Sequence, residues 1–176
     1  MSQDSLLTTS EADAEAAIGV LFVDDEKNIL SSIKRLMMDE PFSIFTAESG
    51  EEGLEILASQ ADIGLIVSDQ RMPGMSGTVF LEKARAAAPD ALRILLTGYA
   101  DITATIDAIN KGGAYRYITK PWVDGELLQT VRDGVKTYRL TRENRRLTAI
   151  VQKQNEELKD WNTQLKSRVL QQTAQI

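Results

Sequence analysis

Short apolar runs recur along this chain at 18–23, 42–46, 63–67, 93–96 and 114–118, and a stretch of helix length follows each. In the first of these stretches Ile29, Leu30, Ile33, Leu36 and Met37 fall on one face at helical spacing. Further helices are predicted over 50–59, 77–88 and 101–111, and a last one begins near Asp124. Five strands alternating with helices predict βαβ crossovers and a parallel sheet covered on both faces, an α/β, doubly wound, five-stranded architecture. The runs IGVLFV and DIGLIV are apolar at consecutive positions, as central strands buried on both sides require.

Beyond Pro121 the pattern changes: no proline follows, and the only glycines are Gly125 and Gly134. Leu140, Asn144, Leu147, Val151, Gln154, Leu158, Trp161 and Leu165 are separated by alternating steps of four and three. That spacing is a heptad seam, with Asn144 and Gln154 as polar core positions and largely uncharged flanks. A helix over 125–176 would extend about 78 Å at roughly 1.5 Å per residue. One small domain cannot bury so long a stripe. The seam therefore predicts a partner helix, supplied by a second copy of the chain in a homodimer. The expected division is a polar, acidic lead-in at 1–17, flexible or weakly helical, an α/β domain at 18–138, and a coiled-coil dimerisation helix or linker at 139–176.

Charge and composition remove several functions. A formal net charge of −6 argues against a sequence-independent grip on nucleic acid, so no direct nucleic-acid contact is expected from these residues. DNA binding by a partner or by a further segment stays open. Cysteine and histidine are both absent, which excludes disulfides, thiolate or imidazole metal sites and Ser-His-Asp hydrolysis. Carboxylates are left as metal ligands, and hard oxygen donors suit Mg²⁺ or Mn²⁺. The N-terminus has neither a basic start nor a signal-length apolar stretch, and nothing is apolar enough to span a membrane; the expected compartment is the cytoplasm.

The polar residues that close the apolar runs carry the chemistry. Asp24 and Asp25 follow the first run, Ser68 and Asp69 the third, Thr97 and Gly98 the fourth, and Thr119, Lys120 and Pro121 the fifth. All carboxyl ends of a parallel sheet lie along one edge, where ligands bind. Three carboxylates, a hydroxyl and an ammonium thus converge on one crevice. Crowded carboxylates raise at least one pKa unless a divalent cation coordinates them. Mg²⁺ keeps positions for phosphate oxygens, a carboxylate can then attack a phosphoryl group, and Lys120 and Thr97 can meet the transferred oxygens. Taken singly these residues have plainer roles: Asp25 or Asn28 as a helix cap, Pro73 and Gly74 as turn formers, Lys120 as a solvated charge. Their joint placement favours the site.

The segments LFVDDE, SDQRMPGMSG, ILLTGYA and YRYITKPW, covering 18–138, closely resemble the receiver domain of two-component response regulators. The resemblance implies a flavodoxin-like receiver fold and a phosphoacceptor at Asp69. It also implies an acidic pocket of Asp24 and Asp25, with Mg²⁺ bound by Asp25, Asp69 and the backbone carbonyl of Arg71, Asp24 acting through water. Lys120 would pair with the phosphoryl group, the Lys120–Pro121 bond would be cis, and a sensor histidine kinase would be the phosphodonor. Thr97 and Tyr117 match the family's switch pair. Gln70, Arg71 and Tyr99 are less typical, and Arg71 and Tyr99 are expected to influence how water reaches the aspartyl phosphate. The sequence is also similar to receivers joined through a coiled coil to metal-dependent phosphohydrolases of cyclic dinucleotides. Such an output would lie beyond Ile176, where the sequence stops without a terminal cap. The chain itself is then expected to be no enzyme beyond self-phosphorylation and autodephosphorylation. Two other functions remain: a scaffold whose acidic pocket is incidental, and a Mg²⁺-dependent phosphatase using an aspartyl nucleophile.

Overall fold

The computed structural model describes residues 18–111 and 113–174, so the lead-in expected at 1–17 lies outside the described residues. The elements run β1 (Gly19–Val23), α1 (Lys27–Leu36), β2 (Ser43–Ala47), α2 (Gly50–Ser59), β3 (Ile63–Asp69), α3 (Gly77–Ala87) and β4 (Leu92–Gly98). A 3₁₀ turn (Tyr99–Asp101) then leads to α4 (Ile102–Lys111), β5 (Arg116–Lys120) and α5 (Asp124–Thr173). All strand pairs are parallel, in the order β2-β1-β3-β4-β5. The architecture is the expected doubly wound, five-stranded flavodoxin-like fold.

The core has two halves, one on each face of the sheet. Val20, Phe22, Leu65, Val67, Ile94 and Leu96 pack against α1 through Leu30 and Ile33, and against α5 through Leu127, Val131 and Val135. Leu21, Val23, Ile66 and Leu95 point the other way, against Leu57 of α2 and Phe80, Leu81 and Ala84 of α3. Every residue of β1 and β3 is buried, which explains their unbroken apolar runs: side chains alternate faces, and both faces are covered.

Two local expectations need correction. The strands run further than the apolar runs. β3 continues through Asp69, β4 through Gly98, and β5 lies over Arg116–Lys120 rather than 114–118. The ladder decides this: Thr97 pairs with Thr119 and Gly98 with Lys120, so polar residues continue the pairing where hydrophobicity stops. Neither Asp25 nor Asn28 caps α1. The N-cap is Glu26 with no side-chain cap bond, and the Glu26 N–H donates instead to Asp24 Oδ1 at 2.9 Å.

The chain divides after Arg139 into two units. In the first, α5 contributes buried Leu127, Val131, Gly134 and Val135. In the second, residues 140–173 are helical, and Leu140, Leu147, Val151, Leu158, Trp161 and Leu165 of the heptad seam are all exposed. No described helix is long and apolar enough to cross a membrane.

Candidate functional site

In strand order β2-β1-β3-β4-β5 the connections leave β1 and β3 in opposite directions, opening a crevice at the carboxyl ends of those two strands. Asp24 and Asp25 follow β1, and Asp69 ends β3, so the crevice is acidic by construction. Ligand oxygens of Asp24, Asp25 and Asp69 lie within 4.8 Å of one another. Asp24 and Asp69 are buried, whereas Asp25 is exposed. Three hard oxygen donors this close, two of them desolvated, fit a divalent cation of the Mg²⁺ kind. The carbonyl of Arg71, two residues beyond Asp69, is the further ligand the sequence suggested.

Lys120, the last residue of β5, reaches across β4 into the same crevice. Its Nζ stands 3.0 Å from Asp24 Oδ2 and 3.1 Å from Asp69 Oδ1, shared between two carboxylates. The following Lys120–Pro121 bond is cis. Burial pushes the Asp69 carboxyl above its ordinary range; the charge and hydrogen bond of Lys120 pull it down, and the neighbouring Asp24 charge adds to the rise. For Lys120 burial acts downward, but the hydrogen bonds and charges of Asp24 and Asp69 together outweigh it and hold the ammonium above its ordinary value. One ammonium thus serves two carboxylates, with a third close by. A site with this imbalance has room for a second positive charge.

Thr97, near the end of β4, is buried, and its Oγ1 donates to the Gly98 carbonyl at 3.3 Å. Tyr117 on β5 pairs with Leu95 and Thr119 pairs with Thr97, so Tyr117 shares a sheet face with Thr97, one pleat behind it. Tyr117 is exposed. Of the predicted side chains, Asp24, Asp25, Asp69 and Lys120 are brought together in the crevice, while Thr97 is buried at the end of the neighbouring strand. The Arg71 guanidinium is engaged at the turn that precedes α4. It makes a two-pronged ion pair with Asp101, Nε to Oδ2 at 2.7 Å and Nη2 to Oδ1 at 3.0 Å.

Sequence reasoning gave no role to three further residues. Gln70 Oε1 accepts from the Thr78 N–H at 3.0 Å and from Thr78 Oγ1 at 2.7 Å, fastening the first turn of α3 to the end of β3. Gly77 opens α3 so close to β3 that an added Cβ would sit 2.1 Å from the Asp69 carbonyl oxygen. Its N–H also donates to the Gln70 carbonyl at 2.9 Å. Asp101 is the third. A glycine opening a helix directly after a turn sequence was a readable signal; the partners of Gln70 and Arg71, 8 and 30 residues away, were not.

Residues 20–132 match the family described as the response regulator receiver domain. The hydrogenase transcriptional regulatory protein HoxA of Cupriavidus necator is 39% identical over 128 residues, which cover 73% of this chain and 26% of that protein. The chain thus spans about a quarter of the length of this curated relative. Among solved structures, an uncharacterized protein from Neptuniibacter caesariensis is 41% identical with a TM-score of 0.66, over 72% of this chain and 92% of that one. The signal receiver domain of an HD domain-containing protein from Pseudomonas fluorescens Pf-5 is 34% identical with a TM-score of 0.67, again over 72% and 92%.

Proposed function

The chain belongs to the response regulator receiver domain family, and on that premise we propose that Asp69 accepts a phosphoryl group from a sensor histidine kinase in the cytoplasm. The carrying observation is the Lys120 ammonium, held between Asp24 and Asp69 at 3.0 and 3.1 Å in a cluster of three carboxylates. One Asp69 oxygen attacks the phosphorus of a phosphohistidine. The P–N bond breaks, its electron pair stays on the imidazole nitrogen, which takes up a proton, and an acyl phosphate is left on Asp69. Lys120 would donate to a transferred oxygen, and Thr97 would offer its hydroxyl to another. Asp24, Asp25, Asp69 and the Arg71 carbonyl would hold Mg²⁺, which when bound supplies charge neutralisation for the phosphoryl oxygens. Turning the Thr97 hydroxyl toward the phosphoryl group would release its bond to Gly98 and vacate space on the face it shares with Tyr117. The Tyr117 ring, exposed without phosphate, would move inward. That is a two-state bias of a few kcal/mol.

The exposed seam of α5 supports a parallel homodimer. Val151, Leu158 and Leu165 alternate with Leu147 and Trp161, and Asn144 would face its mate, as two-stranded coiled coils favour. Output is a separate matter. HoxA is named a transcriptional regulator, which favours an output domain acting on gene expression. The receiver from an HD domain-containing protein favours the phosphohydrolase class that the motifs suggested. Either would be joined through α5.

Incubation with acetyl phosphate and Mg²⁺ tests the reading. A long-lived adduct on Asp69 is expected. No adduct would favour a scaffold with an incidental acidic pocket, and rapid repeated turnover would favour a phosphatase.

A further inference from the structure

Three consecutive residues at the end of β3 are tied to three different elements. Asp69 pairs with Lys120 of β5, Gln70 holds Thr78 of α3, and Arg71 grips Asp101 at the entrance to α4. The first two ties lie within or beside the acidic crevice. The third reaches the helix that follows the strand of Thr97. Asp101 ends the 3₁₀ turn that begins with Tyr99, and its carboxylate is largely shielded, with 20% of the side chain exposed. Its main-chain carbonyl accepts from Thr105 Oγ1 at 3.0 Å, and Thr105 is buried in the first turn of α4. A continuous chain of polar contacts thus runs from the loop beside the cation site, through Arg71 and Asp101, into α4.

We propose that the Arg71–Asp101 bridge is a latch that links cation binding at the acidic pocket to the ordering of the first turn of α4. This rests on the reading of the pocket as a Mg²⁺ site. Arg71 would serve it twice, with its carbonyl as a ligand and its guanidinium as the anchor that fixes where that carbonyl sits. Arg71 is thereby a positioning residue. A guanidinium held by two parallel hydrogen bonds has little freedom left, and its backbone inherits the restraint. An exposed ion pair of ordinary geometry contributes little to stability. The importance of this one lies in what it joins. Coupling is reciprocal: if the latch helps the loop to hold a cation, a cation in the loop must equally help the latch to hold α4. Signal transmission to α4 would then have a second route, parallel to Thr97 and Tyr117 and starting from the metal ligands.

The test compares the full chain with Arg71→Gln, Asp101→Asn, the double variant, and the exchange Arg71→Asp with Asp101→Arg. Mg²⁺ affinity is measured by titration calorimetry, and amide hydrogen exchange is followed over 102–106 with and without Mg²⁺. Each single variant should weaken Mg²⁺ binding about fivefold and raise exchange at the start of α4. The double variant should be no weaker than either single, and the exchanged pair should recover part of the affinity. Additive losses in the double variant, or single variants that match the wild type in both measurements, would overturn the latch. Recovery by the exchanged pair separates a latch from damage to the fold. A wild-type chain that binds no Mg²⁺ would count against the pocket itself, whereas wild-type binding with indifferent variants would count against the latch alone.

Discussion

Asp69 carries its charge at a cost. Burial raises its pKa above the ordinary 3.8, and Lys120 offsets this only in part because it also serves Asp24. An acid whose folded-state pKa is raised weighs against the folded state once ionised. The penalty is absent below its unfolded value and complete above the raised one, so it grows as pH climbs through that window. Without Mg²⁺, Asp69→Asn should therefore raise Tm at neutral pH by roughly 2–5 °C and flatten the pH dependence, as scanning calorimetry would show. Equal melting temperatures at neutral pH would mean that the charge is not strained. At Gly77 the constraint is steric. Gly77→Ala forces a methyl group against the Asp69 carbonyl, and denaturant melts should show a loss of roughly 1–3 kcal/mol. Asp24, Asp25, Asp69, Thr97 and Lys120 were legible in the sequence because each is a polar residue closing an apolar run. Gln70 and Asp101 were not, since their importance comes from partners that only the fold brings near.

The strands explain why that legibility was incomplete at their ends. Hydrophobic runs mark the buried middle of a strand, but hydrogen bonding continues through Asp69, Gly98 and Lys120, where burial gives way to the crevice. β5 is an edge strand with two of its five residues exposed and none buried, so its apolar pattern was a poor guide and the strand lies two residues further on than the run suggested. For α5 the signal was periodicity. Its length was plain, and its seam of exposed apolar residues follows the heptad spacing. Placing a charge in that seam tests pairing: Leu158→Glu should reduce the particle mass seen by light scattering from two chains to one. Asn144→Leu should do the reverse, strengthening association while relaxing its restriction to pairs. A wild-type chain that scatters as a monomer would remove the seam as an interface. The Asn144 Oδ1 accepts from Thr148 Oγ1 at 3.3 Å, which leaves its amide N–H groups to meet a mate.

Across the whole molecule, the acidic cluster and the exposed apolar seam fall in different units of the described chain. Residues 18–139 supply a sheet whose topology gathers charge at one edge, and residues 140–174 supply an apolar stripe on a helix. The fold class was readable because βαβ alternation admits few topologies. The identity of the output was not, since the matched relatives share only about a quarter of their length with this chain. Every role proposed for the crevice depends on phosphoryl transfer to Asp69. Intact-mass spectrometry of the chain after treatment with phosphoramidate, with Mg²⁺ or with EDTA, measures it directly. One phosphoryl group per chain is predicted with Mg²⁺, and none with EDTA or in Asp69→Asn. Equal incorporation by Asp69→Asn and the wild type would contradict it.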